Sequence, residues 1–299
     1  MREVSIEGLK KISAGQNGDV YRLNDEQILK VYNPWSISIE KIRREKESAK
    51  RAFIRGIPTA ISFDIVTVGD RYGLIYEMIN AKTMGEAVKD GPRKLEDYAV
   101  RMAKLLKELH NVKFEGGELQ DARLSLHRWA DIVELCGYYP IETIDGMREI
   151  IDSIPPRETF IHGDYHPGNI MMANDEITLI GMGDAAVGHP MIDLLATYQI
   201  MMIISDQPEG SERNMGITGD QAKRMWDFFI CEYAGTHDPK VIGEIEDALH
   251  FYVLIRGLAG VTFSNMVDEK TRMEYINRMN EAFQKGLEKY KNNPLIEMF

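Results

Sequence analysis

The segment at residues 160–169, with the sequence FIHGDYHPGN, constrains this 299-residue chain more than any other part of it. Its two glycines and its proline interrupt regular structure, so the segment must form a loop. Apolar residues on either side indicate short buried segments that hold the loop rigid. Asp164 and Asn169 stand five positions apart within it. His162 and His166 flank the acid. A rigid loop that carries an acid, an amide and imidazoles indicates chemistry rather than packing.

The charge of the chain limits its partners. The net charge is −11, which excludes a uniform basic surface for nucleic acid. Residues 1–80 hold 13 Lys and Arg against 11 Asp and Glu, so residues 81–299 carry −13. This asymmetry suits an anionic ligand near the first part and a neutral or cationic small molecule near the second. An acidic surface that serves solubility alone is the competing interpretation.

The sequence shows no sign of an oxidising compartment or a membrane. Cys136 and Cys231 both lie in apolar helical patterns, where they are expected to be small core residues of a reducing compartment. The first residues contain no apolar signal region, and the longest apolar run is far shorter than the roughly 20 residues that a bilayer crossing needs. We expect a cytoplasmic protein without membrane contacts. The oligomeric state is not readable from the sequence.

Strand and helix patterns divide the chain into two parts. Strands are predicted over residues 9–14, 20–23, 27–32, 61–68 and 72–79. Helices are predicted over residues 38–54, 95–112, 219–234, 239–258 and 270–290. The apolar face predicted for the first helix consists of Ile42, Ala49, Ala52 and Phe53. The sequence therefore predicts an α+β protein with a β-rich lobe at residues 1–79 and a larger helical lobe at residues 80–299.

Two features of the first lobe are typical of phosphate binding. A turn with Gly15 and Gly18 lies between two predicted strands, where backbone N–H groups can approach a phosphate without a Cβ in the way. Lys30 follows on the next strand. Glu45 falls on the apolar face of the first helix and needs a cation there, because an unpaired buried carboxylate is costly. We expect Lys30 to pair with Glu45 rather than with Glu47, which falls on the charged face.

The order of these features resembles the aminoglycoside phosphotransferase and choline kinase group of small-molecule kinases. The resemblance spans roughly residues 8–200, and its best motif is His162-Gly163-Asp164-x-His166-x-x-Asn169. It implies a bilobal protein-kinase-like fold, with a small antiparallel sheet lobe followed by a larger helical lobe. It also implies an enzyme that binds ATP and Mg²⁺ and moves the γ-phosphoryl group to a hydroxyl of a small molecule.

The resemblance implies a role for each matching residue. Asp164 would orient or deprotonate the acceptor hydroxyl, and Asn169 would hold magnesium. Lys30, oriented by Glu45, would contact the α- and β-phosphates beneath the glycine turn. The segment that would line the adenine consists of Glu77, Met78 and Ile79. The two histidines of the loop would brace it rather than react.

The chain departs from the family pattern after its next strand. The family places a metal-binding aspartate there, and the strand over 177–180 is followed instead by Gly181. A glycine supplies no carboxylate, so one principal magnesium ligand is lost. Asp184, three residues on, could replace it only if the loop is repositioned. The later Asp193 is expected to cap the next helix or to hold the catalytic loop.

Three alternatives to an active kinase are open. The first is a kinase-like protein that binds nucleotide and transfers phosphate slowly or not at all, because of Gly181. A second is a metal-dependent hydrolase, whose ligands would be His162, Asp164, His166 and His189. A third is a dinucleotide-binding oxidoreductase, suggested by the G-x-G-x-x-A pattern of residues 181–186, although Pro190 interrupts the helix that this motif requires.

Overall fold

The computed structural model describes residues 1–15, 17–33, 38–91, 93–173, 176–207, 209–262, 268–292 and 294–299. Residue 16, within the predicted glycine turn, lies outside them. The fold is the predicted bilobal, kinase-like α+β arrangement, 56% helical and 17% strand. The lobe boundary after residue 79 stays a prediction. Among the described residues, no helix combines the length and the apolar composition that a bilayer crossing requires.

The small lobe is an antiparallel sheet with one helix against it. The five strands are β1 (Lys11–Gly15), β2 (Gly18–Arg22), β3 (Gln27–Tyr32), β4 (Ser62–Val68) and β5 (Arg71–Glu77), in the spatial order β1-β2-β3-β5-β4. Helix α1 (Ile39–Ile54) follows β3 and precedes β4 in the chain. The side chain of Ser38 caps α1 by accepting a hydrogen bond from the backbone N–H of Lys41.

The alternation of side chains along β3 determines the face of the sheet on which Lys30 lies. Leu29 and Val31 are fully buried on one face of the sheet. Lys30 lies between them and therefore faces the other side. That side holds Tyr32 and also Ile42 of α1. The sheet thus aims the lysine at the helix, as the predicted pairing with Glu45 requires.

The large lobe consists mainly of helices. These are α2 (Met84–Asp90), α3 (Leu95–His110), α4 (Arg123–Cys136), α5 (Ile141–Ser153), α6 (Met191–Tyr198), α7 (Gly210–Met215), α8 (Gly219–Ala234), α9 (Pro239–Tyr252), α10 (Leu254–Thr262), α11 (Glu269–Tyr290) and α12 (Leu295–Met298). Its short strands are β6 (Lys82–Thr83), β7 (Phe160–Ile161), β8 (Ile170–Ala173), β9 (Glu176–Leu179) and β10 (Ala186–Val187). They form a β6-β8-β9 sheet and a β7-β10 pair. These two small sheets flank the loop that carries Asp164.

Three predictions at this level are wrong. The helix predicted over 239–258 is two helices, α9 and α10, which meet at Val253. Phe53 is 52% exposed, because it lies one position beyond the buried stripe that ends with Ala52 in α1. Cys136 and Cys231 are free thiols, as expected, but both are only half-buried rather than part of the core.

Candidate active site

The predicted catalytic loop starts at a buried strand and bends sharply. Gly163 directly follows His162 after β7 and has a φ of +80°. A Cβ at this position would lie 2.6 Å from the backbone carbonyl oxygen of Asp184. Glycine is therefore required both by the left-handed backbone and by the close approach of the neighbouring segment. The bend turns Asp164 away from the buried strand.

A fully buried carboxylate fixes this bend. Asp193, in the first turn of α6, accepts a hydrogen bond from the backbone N–H of His162 at 2.9 Å and another from Gly163 at 2.6 Å. Its Oδ2 also lies 3.1 Å from Nε2 of His110 on α3. The carboxylate thus satisfies two backbone donors that no ladder partner could reach. The sequence predicted that Asp193 would either cap the next helix or hold the catalytic loop. The structure shows that it holds the loop.

Asp164 and Asn169 lie together at the end of the loop. Nδ2 of Asn169 is 3.0 Å from Oδ2 of Asp164 and 2.8 Å from its carbonyl oxygen. The Asp164 side chain remains 49% exposed. Burial by itself raises the pKa of Asp164, but His166, His162 and the amide of Asn169 outweigh it and hold the pKa well below its usual range. The group is therefore a carboxylate at neutral pH.

The loop histidines have structural contacts. Nε2 of His162 lies 3.0 Å from the carbonyl oxygen of Ile180, and its Nδ1 accepts the backbone N–H of Asp164. Burial lowers the pKa of His162, so its ring is neutral. Nδ1 of His166 accepts the backbone N–H of Gly168. The His162 ring thus ties the loop to the residue after β9, and the His166 ring connects two positions within the loop.

The ion pair predicted in the small lobe is present. Nζ of Lys30 lies 2.8 Å from Oε1 of Glu45, which also accepts a hydrogen bond from the hydroxyl of Tyr76 at 2.6 Å. Glu45 is only 3% exposed, and Glu47 pairs instead with Arg51 on the surface. Burial alone raises the pKa of Glu45, but the charge and hydrogen bond of Lys30, with that of Tyr76, lower it below its ordinary value.

A chain of contacts connects this ion pair with the catalytic loop. A Cβ at Gly183 would lie 3.2 Å from Oε2 of Glu45, so the segment after β9 contacts the buried carboxylate directly. The next residue, Asp184, lies against Gly163, and its carboxylate is 3.8 Å from Nζ of Lys41 on α1. Lys30 and Asp164 therefore border the same region between the lobes.

Gly181 lies beside the amide of Asn169. A Cβ there would be 3.0 to 3.1 Å from Cγ, Nδ2 and Oδ1 of that residue. Because Nδ2 of Asn169 is committed to Asp164, Oδ1 is the atom left for a cation. A hard cation such as Mg²⁺ prefers this kind of oxygen ligand. A side chain at position 181 would thus point at the predicted magnesium ligand, as expected if Gly181 replaces the metal-binding aspartate.

The glycine turn and the adenine-lining segment have structural roles of their own. A Cβ at Gly18 would lie 2.1 Å from the carbonyl oxygen of Val31, so close strand packing alone requires glycine there. Gly15 pairs with it across the turn. The backbone N–H of Met78 donates to the carbonyl oxygen of Glu26, at 2.7 Å, and is therefore not free for adenine.

The rest of that segment flanks Met78. Ile79 accepts a backbone hydrogen bond from Ala81. The carboxylate of Glu77 accepts the backbone N–H of Ile61 at 2.6 Å. Nucleotide contacts of these residues stay a prediction, and the backbone of Met78 contributes no donor to them.

The structure does not support the hydrolase or the oxidoreductase. Among the described ranges, no group of three His, Cys, Asp or Glu is placed to hold a metal ion. Nδ1 of His189 accepts the backbone N–H of Met191, away from the loop histidines. The G-x-G-x-x-A segment contains a single 3₁₀ turn at Met182–Asp184 and ends in a two-residue strand. A dinucleotide site needs a full helix there.

Comparison with known proteins identifies the family of the chain. The profile of the phosphotransferase enzyme family matches residues 8–228. The chain belongs to the phosphotransferase enzyme family. No curated protein matches the chain in sequence.

Solved structures share the fold of this chain. The gentamicin complex of APH(2")-IIa matches with a TM-score of 0.54 and 19% identity, over 97% of this chain and 93% of the other. A choline/ethanolamine kinase family protein from Mesorhizobium loti matches with a TM-score of 0.52 and 17% identity, over 97% and 90%. The GDP and kanamycin complex of APH(2")-IIia matches with 0.52 and 13%, over 97% and 95%.

The ion pair between Lys30 and Glu45 makes a pH-dependent contribution to stability. Replacing Glu45 by Gln should lower the free energy of unfolding by about 2 kcal/mol at pH 7, because Lys30 loses its charged partner. The folded pKa of Glu45 lies below its unfolded value. The contribution is therefore complete above about pH 4.3 and is lost as the pH falls through the folded pKa. Urea unfolding at pH 7 and at about pH 3 measures this difference.

Glu47→Gln is the matched control, because Glu47 lies on the same helix and its side chain is 50% exposed. It should change stability by less than about 0.5 kcal/mol at either pH. Equal losses in the two variants, or a loss for Glu45→Gln that does not shrink in acid, would contradict the assignment of the buried pair.

Proposed function

We propose that this protein is an ATP-dependent phosphotransferase that moves the γ-phosphoryl group to a hydroxyl of a small molecule. The observation that carries the proposal is the ionised, half-exposed carboxylate of Asp164 held beside the amide of Asn169. The fold and the family membership support the same reaction class. The GDP complex among the similar structures supports nucleotide binding.

The residues around this pair have complementary parts in the proposal. Lys30, held by Glu45, would contact the α- and β-phosphates, and the turn at Gly15 and Gly18 would cover them. Asn169 and Asp184 would hold Mg²⁺, which neutralises charge on the transferred phosphoryl group when it is bound. Both offer the oxygen donors that this ion prefers.

Asp164 would act mainly by orienting the acceptor. The hydroxyl oxygen forms a bond to the γ-phosphorus while the bond to the β,γ-bridging oxygen breaks and ADP leaves. The hydroxyl proton passes to the carboxylate of Asp164. Because this carboxylate is ionised at neutral pH, it can accept that proton. A loose transition state needs little early deprotonation, so positioning is the larger contribution.

A partly buried arginine, Arg256, lies near the carboxylates of Asp164 and Asp184. The guanidinium of Arg256 on α10 lies 5.7 Å above the ring of Trp129 on α4. Burial lowers the pKa of Arg256, and the charges of Asp164 and Asp184 oppose that shift, so the guanidinium lies in the field of both carboxylates. We therefore propose small hydroxyl compounds as the acceptor class. The net charge of −13 on residues 81–299 favours a cationic acceptor, but the proposal does not require one.

Substitution of Asp164 tests the reaction. Asp164→Ala should lower ATP consumption with a panel of hydroxyl compounds by about 10²- to 10⁴-fold, because the acceptor loses its orienting group. Nucleotide affinity, measured by calorimetry, should stay within about threefold, since the carboxylate contacts the acceptor rather than the nucleotide. Asp145→Ala, at an exposed acid of α5, is the control and should match the parent. Undiminished ATP consumption in Asp164→Ala would end the proposed mechanism.

A second candidate function is nucleotide binding with little turnover, and Gly181 is the observation that favours it. Position 181 faces the amide of Asn169 but provides no carboxylate. A site with one fewer metal ligand would bind nucleotide through Lys30 and stabilise the transferring phosphoryl group poorly.

Restoring the carboxylate separates the two functions. Gly181 has φ +81° and ψ 33°, a conformation that Asp and Asn tolerate better than other residues with a side chain. Gly181→Asp should raise turnover by about tenfold or more and make it more dependent on Mg²⁺. Gly181→Asn has the same shape without the charge and should not. Equal activities of both variants would show that position 181 is not the metal-binding position.

A further inference from the structure

Two neighbouring side chains of the large lobe have hydrogen-bond donors without an acceptor in the described part of the chain. The guanidinium of Arg256, on α10, lies 5.7 Å from the centre of the Trp129 ring on α4. Neither this guanidinium nor the indole N–H of Trp129 makes a hydrogen bond to the described residues. No carboxylate oxygen among those residues lies within 4.0 Å of the guanidinium. The donors of both side chains are therefore available to a ligand.

The burial of this pair favours an anionic partner. Arg256 and Trp129 are both half-buried, so each keeps some contact with solvent. A cation that is partly removed from water and has no counter-charge beside it is costly. The aromatic ring holds the guanidinium by a cation–π contact, which leaves the N–H groups unpaired. An anionic oxygen group would satisfy these donors and the charge together.

The pair lies within electrostatic reach of the proposed catalytic residues. Burial lowers the pKa of Arg256, and the charges of Asp164 and Asp184 act against that shift. Both carboxylates have other contacts, with the amide of Asn169 and with Lys41 respectively. A gap therefore separates the guanidinium from the carboxylate of Asp164. A molecule whose hydroxyl lies against Asp164 would cross this gap with its other end near Arg256.

The surrounding charge selects among anionic groups. Residues 81–299 carry −13, and the two nearby carboxylates add to the negative potential. A phosphate monoester carries about two negative charges at neutral pH and a carboxylate carries one, so the carboxylate is repelled about half as strongly. One guanidinium also matches one carboxylate through two parallel N–H···O bonds. A carboxylate fits this position better than a phosphate.

We propose that Arg256 and Trp129 bind a carboxylate of the acceptor, so that the substrate class is small hydroxy carboxylates. This inference rests on the proposed phosphotransferase function. The acceptor hydroxyl oxygen forms the bond to the γ-phosphorus, the bond to the β,γ-bridging oxygen breaks, and ADP leaves. The hydroxyl proton passes to Asp164. The acceptor carboxylate does not react and holds the hydroxyl in place.

Compounds that share one carbon skeleton test the substrate class. Glycerate, glycerol, glycerol phosphate and aminopropanediol carry a carboxylate, a neutral hydroxyl, a phosphate and an ammonium group on the same skeleton. Hydroxybutyrate and butanediol repeat the first two on a longer chain. With ATP and Mg²⁺, kcat/KM should be about tenfold or more higher for the carboxylate of at least one set than for its partners, mainly through a lower KM.

Substitution of the two donors should remove this preference. In Arg256→Met, kcat/KM for the carboxylate and for its neutral partner should agree within about twofold, because the charged hydrogen bonds are lost. Trp129→Phe keeps a ring without the N–H and should reduce the ratio by about threefold, so a second variant reports if Arg256→Met does not fold. A purely structural role of Arg256 would lower kcat/KM for every compound alike and leave the ratio unchanged.

The matched control is Arg128→Met. Arg128 is an exposed arginine of α4, next to Trp129 in the chain, and it donates to the hydroxyl of Ser125. Its removal changes the net charge by the same amount as Arg256→Met. The ratio between the carboxylate and its neutral partner should stay within about twofold of the parent value.

Calorimetry on the full chain separates this inference from the proposed function. Binding of glycerate or hydroxybutyrate should weaken by about tenfold or more in Arg256→Met. If this holds and no compound stimulates ATP consumption, phosphotransfer is wrong and the carboxylate site stands. If neutral hydroxyl compounds are phosphorylated as well as their carboxylates, phosphotransfer stands and the carboxylate site is wrong.

Three further results would overturn the inference. One is a preference for carboxylates that persists in Arg256→Met. Another is an equal loss of that preference in Arg128→Met, which would indicate a diffuse charge effect. The last is a higher kcat/KM for glycerol phosphate or aminopropanediol than for either carboxylate, which would assign the acceptor to the phosphate esters or to the cationic amines.

Discussion

The hydrogen bonds accepted by the buried carboxylate of Asp193 hold the candidate site in place. The carboxylate accepts two backbone N–H groups at the bend of residues 162–163, and His110 reaches it from α3. A bend with a left-handed glycine has no ladder partners of its own, so these donors would otherwise be buried without acceptors. Because α6 supplies the carboxylate, the helix and the loop form one rigid unit. The positions of Asp164 and Asn169 follow from that unit rather than from their own contacts alone.

The two lobes meet through backbone as well as through side chains. The backbone N–H of Leu179 donates to the carbonyl oxygen of Pro58, and its carbonyl oxygen accepts the N–H of Ala60. These bonds join β9 of the large lobe to the chain between α1 and β4. Close by, Gly183 lies against Glu45, so a side chain there would push on the ion pair of the small lobe. The position of the Lys30–Glu45 pair in the small lobe therefore depends on the loop after β9 in the large lobe.

Much of this fold could be predicted from local patterns in the sequence. The helix predicted over 219–234 is α8, because a Thr218 capping box starts it and Gly235 ends it. The choice of Glu45 over Glu47 followed from helical periodicity and is confirmed by its burial. Sequence patterns did not predict features that tertiary contacts determine, such as the break between α9 and α10. The hydrogen bond from Met78 to Glu26 joins distant segments and has no signal in the sequence.

In the proposed reaction, the triphosphate of ATP would lie between Lys30 and Asp164. A crystal structure with a non-hydrolysable ATP analogue and Mg²⁺ tests this most directly. We expect Nζ of Lys30 within about 3 Å of phosphate oxygens, and the γ-phosphate on the side of the Asp164 carboxylate. We expect the metal density to touch Oδ1 of Asn169. A nucleotide bound elsewhere, or a carboxylate of Asp164 directed away from the γ-phosphate, would contradict the account.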